Sequence, residues 1–251
     1  EPIKLNAENK TVYQSIMGEL LYAANISRPD IAFQVGRLCQ YMSDPHEHQL
    51  QAAKRVMRFL SQTADDCLLF GTNEINHGDS GATVFSDSDY AECKETRRST
   101  SGCIVVYNGD IIHWFSRKQK LVTLSSTEAE YVALGEAVKE LLWCRSWLLE
   151  VYEGKELGPM TVYEDNQSTI RVAKNGELIS QRTKHIDIRY HFIREHIDNG
   201  TVKIEWVESK EQLADILTKP LQGGALKYIR DKILCVSQHP PDYGRVLRKV
   251  K

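Results

Sequence analysis

From Ala82 onward the sequence carries three β-prone runs in close succession, then single β-prone runs separated by helical stretches. That order admits few architectures. Ala82–Ser86, residues 103–107 (Cys-Ile-Val-Val-Tyr) and Ile111–Ser116 lie close enough to pair antiparallel, and Asn108-Gly109 is a hairpin signal. Ser125 opens a long helix with Glu128 at the third position, a capping box that runs to about Tyr152. Pro159–Glu164 reads as a fourth strand, followed by a helix from Asn166 and another over roughly Arg182–Asn199 that Asn199-Gly200 closes. Val202–Val207 is a fifth strand, and Ser209-Lys210-Glu211-Gln212 opens a last helix as a second capping box. The order βββ-α-β-α-α-β-α predicts an α/β fold: a mixed five-stranded sheet flanked by helices.

The first seventy residues read differently. Ile16, Leu20 and Ala23/Ala24 fall at helical spacing within 11–26; Pro29 suits a fresh start, and Ile31, Phe33, Val35, Leu38 and Met42 form a second stripe. Asp44-Pro45-His46-Glu47 has the form of a helix start, with Asp44 as cap, Pro45 in the first position and Glu47 in the third, ahead of Leu50, Ala53, Val56, Met57 and Leu60. The expected organisation is a small helical bundle over 1–72, a linker rich in Asn, Gly, Asp and Ser over 73–81, the α/β domain over 82–220 and a basic tail over 221–251. The length allows one large domain or two modest ones. No apolar run approaches the roughly 18 residues that span a bilayer, no secretory leader opens the sequence, and no membrane partner is expected. The six cysteines stand singly, without a C-x-x-C pair, which fits a reducing compartment and argues against a zinc site. The start lacks a Met and reads as a piece of something longer.

Four acids conflict with ordinary packing. Asp87, with Asp89 beside it, lies at the end of the first strand, where turn chemistry is the plain explanation. Glu130, in the first turn of the long helix, shares a face with Ala133, Leu134, Ala137, Leu141 and Cys144. Asp165 ends the fourth strand and could cap the helix that follows; Asp215 stands among Leu213, Ala214, Ile216 and Leu217. If the fourth strand pairs parallel beside the first, these acids meet at one sheet edge. Converging carboxylates need a counter-charge. Two hard divalent ions, Mg²⁺ or else Mn²⁺, about 4 Å apart would supply it and would serve phosphodiester hydrolysis. Trp143 and Trp147, four residues apart, read as core.

Several strings now point to a family: Ser86-Asp87-Ser88-Asp89-Tyr90-Ala91, Arg97-Arg98-Ser99-Thr100-Ser101-Gly102, Leu124-Ser125-Ser126-Thr127-Glu128-Ala129-Glu130-Tyr131, Glu164-Asp165-Asn166-Gln167-Ser168, the run Lys184-His185-Ile186-Asp187-Ile188-Arg189-Tyr190-His191-Phe192-Ile193-Arg194 and Leu213-Ala214-Asp215-Ile216-Leu217-Thr218-Lys219-Pro220. With them the chain resembles the C-terminal part of the Pol polyprotein of copia-type LTR retrotransposons, and Ser27-Arg28-Pro29-Asp30-Ile31 resembles the thumb or connection of the reverse transcriptase. The resemblance implies a ribonuclease H domain that hydrolyses the RNA strand of an RNA–DNA hybrid, acting with the polymerase palm and fingers of a parent polyprotein. It places the metal-binding and catalytic acids, in the order Asp, Glu, Asp, Asp, on Asp87, Glu130, Asp165 and Asp215. It departs from many ribonucleases H in having no His between Val207 and Glu211, which leaves His185 as the nearest candidate for product release. The polymerase's Tyr-x-Asp-Asp motif is absent from these residues. An element of this kind works in a cytoplasmic virus-like particle or the nucleus.

Substrate contacts are expected from Arg97, Arg98 and Ser99 ahead of the second strand, from Asn166 toward a 2′-hydroxyl, and from Lys184 and His185. The competing reading is a catalytically silent or domesticated remnant that binds nucleic acid or scaffolds. The net charge of −2 looks unfriendly to nucleic acid, but it divides into −3 over 1–80, −4 over 81–220 and +5 over 221–251. The central excess of acids includes the four assigned to the metal, so near-neutrality does not exclude a nucleic-acid enzyme.

Overall fold

The computed structural model describes residues 3–71, 75, 81–153, 157–175 and 184–234. Helix α1 (Ala7–Ile26) starts where the Asn6 side chain accepts from the Asn9 N–H at 2.8 Å, and it buries Tyr13, Met17, Leu20 and Ala24. A 3₁₀ turn (Pro29–Ile31) leads into α2 (Ala32–Cys39), and α3 (Glu47–Gln62) follows. The three helices close on one core that includes Val35, Leu38, Leu50 and Ala53. The start of α3 corrects the sequence reading. His46, not Asp44, is the cap residue, and its N–H donates to Gln49 Oε1 at 2.9 Å. The displacement has a tertiary cause: Leu5 N–H bonds Pro45 O and Glu47 N–H bonds Ile3 O, so 45–47 is held against residues 3–5 before the helix can begin. Asp44 instead pairs with Lys4.

The sheet is the expected mixed five-stranded one, in the order β3-β2-β1-β4-β5. Strands β1 (Ala82–Ser88), β2 (Thr100–Tyr107) and β3 (Asp110–Lys118) form the antiparallel meander. Its turn at Asn108-Gly109 takes positive φ at both residues, 49° and 87°. Strands β4 (Met160–Glu164) and β5 (Val202–Trp206) add in parallel on the far side of β1. Alternation along β1 sends Val84 to one face and Phe85 to the other. On the Val84 face lie α4 (Ser126–Val151), α5 (Gln167–Asn175) and α6 (Lys184–Asp198), with Ala137, Leu141, Cys144 and Leu148 of α4 buried against the sheet. Trp143 and Trp147 fall off that stripe. They are 62% and 44% exposed, a correction to their reading as core, and Trp147 meets the Tyr107 ring edge-on.

The opposite face is covered by the 3₁₀ turn Leu213–Leu217 and by α7 (Gly223–Ile233), while a first 3₁₀ turn, Ser209–Glu211, leads into them and buries no residue. The sequence suggested one α-helix opened by a Ser209 capping box. Instead Gln212 takes an extended conformation between the two turns, with its side chain donating to Ser86 O at 2.9 Å and accepting from Ala214 N–H. Helix α7 belongs to the stretch expected as a tail, and Ile229, Ile233 and Leu234 enter the core of this face. Residues 235–251 lie outside the described residues.

The helical bundle is fastened to the α/β domain by polar contacts. Trp114 Nε1 donates to Ala24 O at 2.7 Å, and Asp30 is held by Arg28 at 2.9 Å through two parallel bonds and by Arg230 of α7 at 3.0 Å. Arg230 also pairs with Asp66, and both arginines lie over the Phe59 ring. No helix among the described residues is long and apolar enough to cross a membrane.

Candidate active site

Three acids meet at the end of the sheet. Asp87 lies within β1, fully buried, opposite Gly102 of β2; Asp165 follows β4, the parallel neighbour of β1; Glu130 comes from the first turn of α4. Ser125 accepts from Glu128 N–H and so fixes where α4 starts. One carboxylate oxygen from each of Asp87, Glu130 and Asp165 lies within 4.8 Å of the others. Asp215 joins from the second 3₁₀ turn through a shared cation. Lys219 Nζ donates to Asp87 Oδ1 at 3.1 Å and to Asp215 Oδ1 at 2.7 Å, while the Thr218 hydroxyl donates to Asp87 Oδ2.

The turn that carries Asp215 and Lys219 packs directly on β2, and Gly102 permits it. A Cβ there would stand 2.7 Å from Thr218 Cγ2, 2.9 Å from Leu217 Cβ and 3.0 Å from Ala214 O. Gly102→Ala is therefore expected to destabilise the fold by about 1–3 kcal/mol through overpacking. Thermal melts of the purified variant check the loss, and a melt equal to wild type would show that the turn yields freely.

The electrostatics of the site follow from burial. Burial pushes Asp87 up to about 7, with Asp215 adding to the rise and Lys219 and Thr218 opposing it. Glu130 is held well above the usual carboxylate range by burial, then by Asp87 and Asp165. Asp215 is raised by burial against the pull of Lys219. Burial alone would lower Lys219, but Asp87 and Asp215 hold its ammonium above its ordinary range. Glu130 Oε2 is buried without a hydrogen-bond donor, and so is Oε2 of the neighbouring Glu164. An all-oxygen donor set, partly orphaned and short of positive charge, fits a hard divalent cation.

The other expected contacts divide. Asn166 caps α5: its side chain accepts from Ser168 N–H at 3.0 Å and Thr169 N–H at 3.2 Å. Asp165 is thereby relieved of the capping role. Ser99 is a correction. It is fully buried, accepting from Ala91 N–H at 3.0 Å and bonded to Thr123, so it braces a loop and offers nothing to a phosphate. Asp89 is likewise structural, accepting from Thr100 N–H at 2.7 Å. Arg97 and Arg98 are exposed on the loop before β2. Lys184 and His185 begin α6, and their side chains lie outside the described residues.

Sequence reasoning missed three features. Lys219 was visible only as part of its string, although its spacing of four from Asp215 is that of a side-chain pair. Glu164 was read only as the residue before Asp165. The third is a cleft of about 420 Å³ whose lining includes Arg117, Lys118, Lys120, Lys139 and Arg189, with Glu136 among them paired to Lys139 and Arg189. Gln119, also in its wall, donates to Ser101 Oγ and to Ala129 O, the residue before Glu130. None of the four acids lines the cleft.

No protein-family model matches the chain. It is 39% identical over 211 residues to the retrovirus-related Pol polyprotein from transposon TNT 1-94 of Nicotiana tabacum, covering 84% of this chain and 15% of that protein. It is 39% identical over 241 residues to the corresponding polyprotein from transposon RE2 of Arabidopsis thaliana, covering 95% of this chain and 16% of that protein. The chain thus spans about a sixth of the length of these relatives. Among solved structures, LC11-RNase H1 isolated from compost matches 56% of this chain and 94% of its own, with a TM-score of 0.42 and 13% identity.

Proposed function

Because the chain belongs to the family of retrovirus-related Pol polyproteins of copia-type transposons, we propose that it is their ribonuclease H: a metal-dependent nuclease that hydrolyses the RNA strand of an RNA–DNA hybrid. The single observation that carries this reading is the meeting of Asp87, Glu130 and Asp165, with Asp215 tied to Asp87 through Lys219. In this reading Asp87, Glu130, Asp165 and Asp215 hold two divalent ions, Mg²⁺ or Mn²⁺. The ions supply activation of water and stabilisation of charge on the phosphate.

The protein's own groups do the rest. Before an ion arrives, Lys219 relieves the repulsion between Asp87 and Asp215 and keeps the site folded around them. Thr218 fixes one oxygen of Asp87 and Lys219 the other, so this carboxylate is oriented in advance. The cleft lined by Arg117, Lys118 and Lys120, whose Gln119 bonds Ala129 O, receives backbone phosphates of the hybrid, with Arg97 and Arg98 as further contacts. Discrimination of RNA from DNA rests on the 2′-hydroxyl. The polymerase palm and fingers of the parent polyprotein are the expected partners in reverse transcription.

The test is a substrate panel. The folded chain with Mg²⁺ is expected to cleave an RNA–DNA hybrid and to leave duplex DNA and duplex RNA of the same sequence intact. Hybrid binding without turnover would identify a silent binding module instead. Preferential cleavage of duplex RNA would identify a nuclease of another specificity.

A further inference from the structure

Helix α4 is apolar on two sides. Ala137, Leu141, Cys144 and Leu148 face the sheet, while Trp143, Trp147 and Val151 are exposed on the other side. A helix with apolar residues on both sides is ordinarily covered on both. The outward face has an order of its own. Lys139, Trp143, Ser146 and Glu150 follow at steps of four, three and four, so they form one row along the helix, and all four are exposed. That row is its own complement when reversed. Positions 139 and 150 are equidistant from its midpoint, and so are 143 and 146. An antiparallel copy of α4 crossing at that midpoint sets Lys139 against Glu150, the large Trp143 against the small Ser146, and Trp147 against the half-buried Leu142. The Ser146 hydroxyl already donates to Leu142 O at 3.0 Å, so an indole can lie on it without stranding a donor. Lys139 bonds Glu136 at 3.0 Å, an exposed pair whose exchange for Glu150 costs little.

We propose that this face of α4 binds a second copy of the chain, in a two-fold dimer with the two α4 helices antiparallel. A closed dimer of this kind needs one self-complementary patch, and the row from Lys139 to Glu150 supplies it. The charges select both occupant and direction. A parallel copy would set Lys139 on Lys139 and Glu150 on Glu150, whereas the antiparallel copy pairs opposite charges at both ends. Between them Trp143 and Trp147 provide the aromatic anchors that dominate such contacts. Glu130 lies in the first turn of α4, so the pair holds the two carboxylate sites at opposite ends, about 40 Å apart along the helices.

Sedimentation equilibrium of the whole chain, from low to high micromolar concentration, is expected to show a monomer–dimer equilibrium. Trp143→Ser is expected to raise the dissociation constant at least about 30-fold, the effect of losing one aromatic anchor. Trp143 is 62% exposed, so the monomer loses no core with it. Lys139→Glu and Glu150→Lys each bring like charges together at both ends of the pair, and each is expected to weaken the dimer about tenfold. The double variant restores opposite charges in exchanged positions and is expected to associate as wild type does. A chain that stays monomeric at every concentration would overturn the proposal. So would a dimer that Trp143→Ser leaves at full strength, which would place the contact elsewhere. A double variant no tighter than the single ones would overturn it too, because the recovery belongs to the antiparallel register alone.

Discussion

Replacing Glu130 by Gln is expected to lower hybrid cleavage at saturating Mg²⁺ by on the order of a thousandfold, since metal stabilisation of the transition state is worth several kcal/mol. Glu130 is the carboxylate that α4 contributes to the three that converge, and its Oε2 has no other partner to lose. The same substitution should raise the stability of the metal-free protein, with a definite pH dependence. Burial holds Glu130 above its unfolded value of about 4.3, so the folded state binds its proton more tightly than the unfolded state does. The acid therefore costs nothing below that pH, and its cost grows as pH rises toward the folded value. Chemical denaturation of both proteins in EDTA should coincide near pH 4 and diverge in favour of Glu130→Gln as pH rises. Coincident curves at pH 7 would contradict the burial argument, and undiminished cleavage would remove Glu130 from the site.

The second large effect lies far from the carboxylates. Asp30 is buried between two arginines, with both oxygens bonded by Arg28 and one also by Arg230. Asp30→Ala leaves two guanidinium groups in a low-dielectric seam, with Asp66 as the remaining carboxylate for Arg230, Thr63 as the remaining acceptor for Arg28 and the Phe59 ring beneath both. Removing one partner of a buried pair costs about 3–5 kcal/mol. A loss of that size should appear as a lower denaturation midpoint. Because Asp30 joins the bundle to α7, it should also appear as separate melting of bundle and sheet. A single transition at the wild-type midpoint would show that the seam carries no weight. The turn containing Asp30 also packs against the turn that carries Asp215, so the bundle braces one wall of the site.

Local patterns proved legible where one element decides its own fate. The stripe Ala137-Leu141-Cys144-Leu148 and the Ser125 cap specify α4, and Asn108-Gly109 specifies the β2–β3 hairpin. The order of elements left the parallel pairing of β1 and β4 as a condition, and the structure meets it, bringing Asp87 and Asp165 together. What escaped depends on contacts between distant segments. The start of α3 is delayed by a bridge to residues 3–5, and the turn at 213–217 stays 3₁₀ because Gln212 is drawn to Ser86 O. Lys219 looks like any surface lysine until the turn lands on β1, and Glu164 looks like any strand-end acid until α4 covers it. Trp143 and Trp147 are a different kind of miss. Their offset from the buried stripe of α4 is readable from the helical period alone, whatever the residue type.

The ties of Asp87 to Thr218 and Lys219 join residues 131 and 132 positions apart. The bundle closes through contacts within its first sixty residues, and the β1–β3 meander is equally local, so both can form early during synthesis. The site cannot. A nascent chain that has emitted β1 and α4 already holds Asp87 and Glu130 side by side, yet it lacks the ammonium that reconciles Asp87 with its neighbours. Completion of the carboxylate site therefore comes last, with the segment around Lys219, and a chain interrupted before that point is folded in outline but has its acids unreconciled.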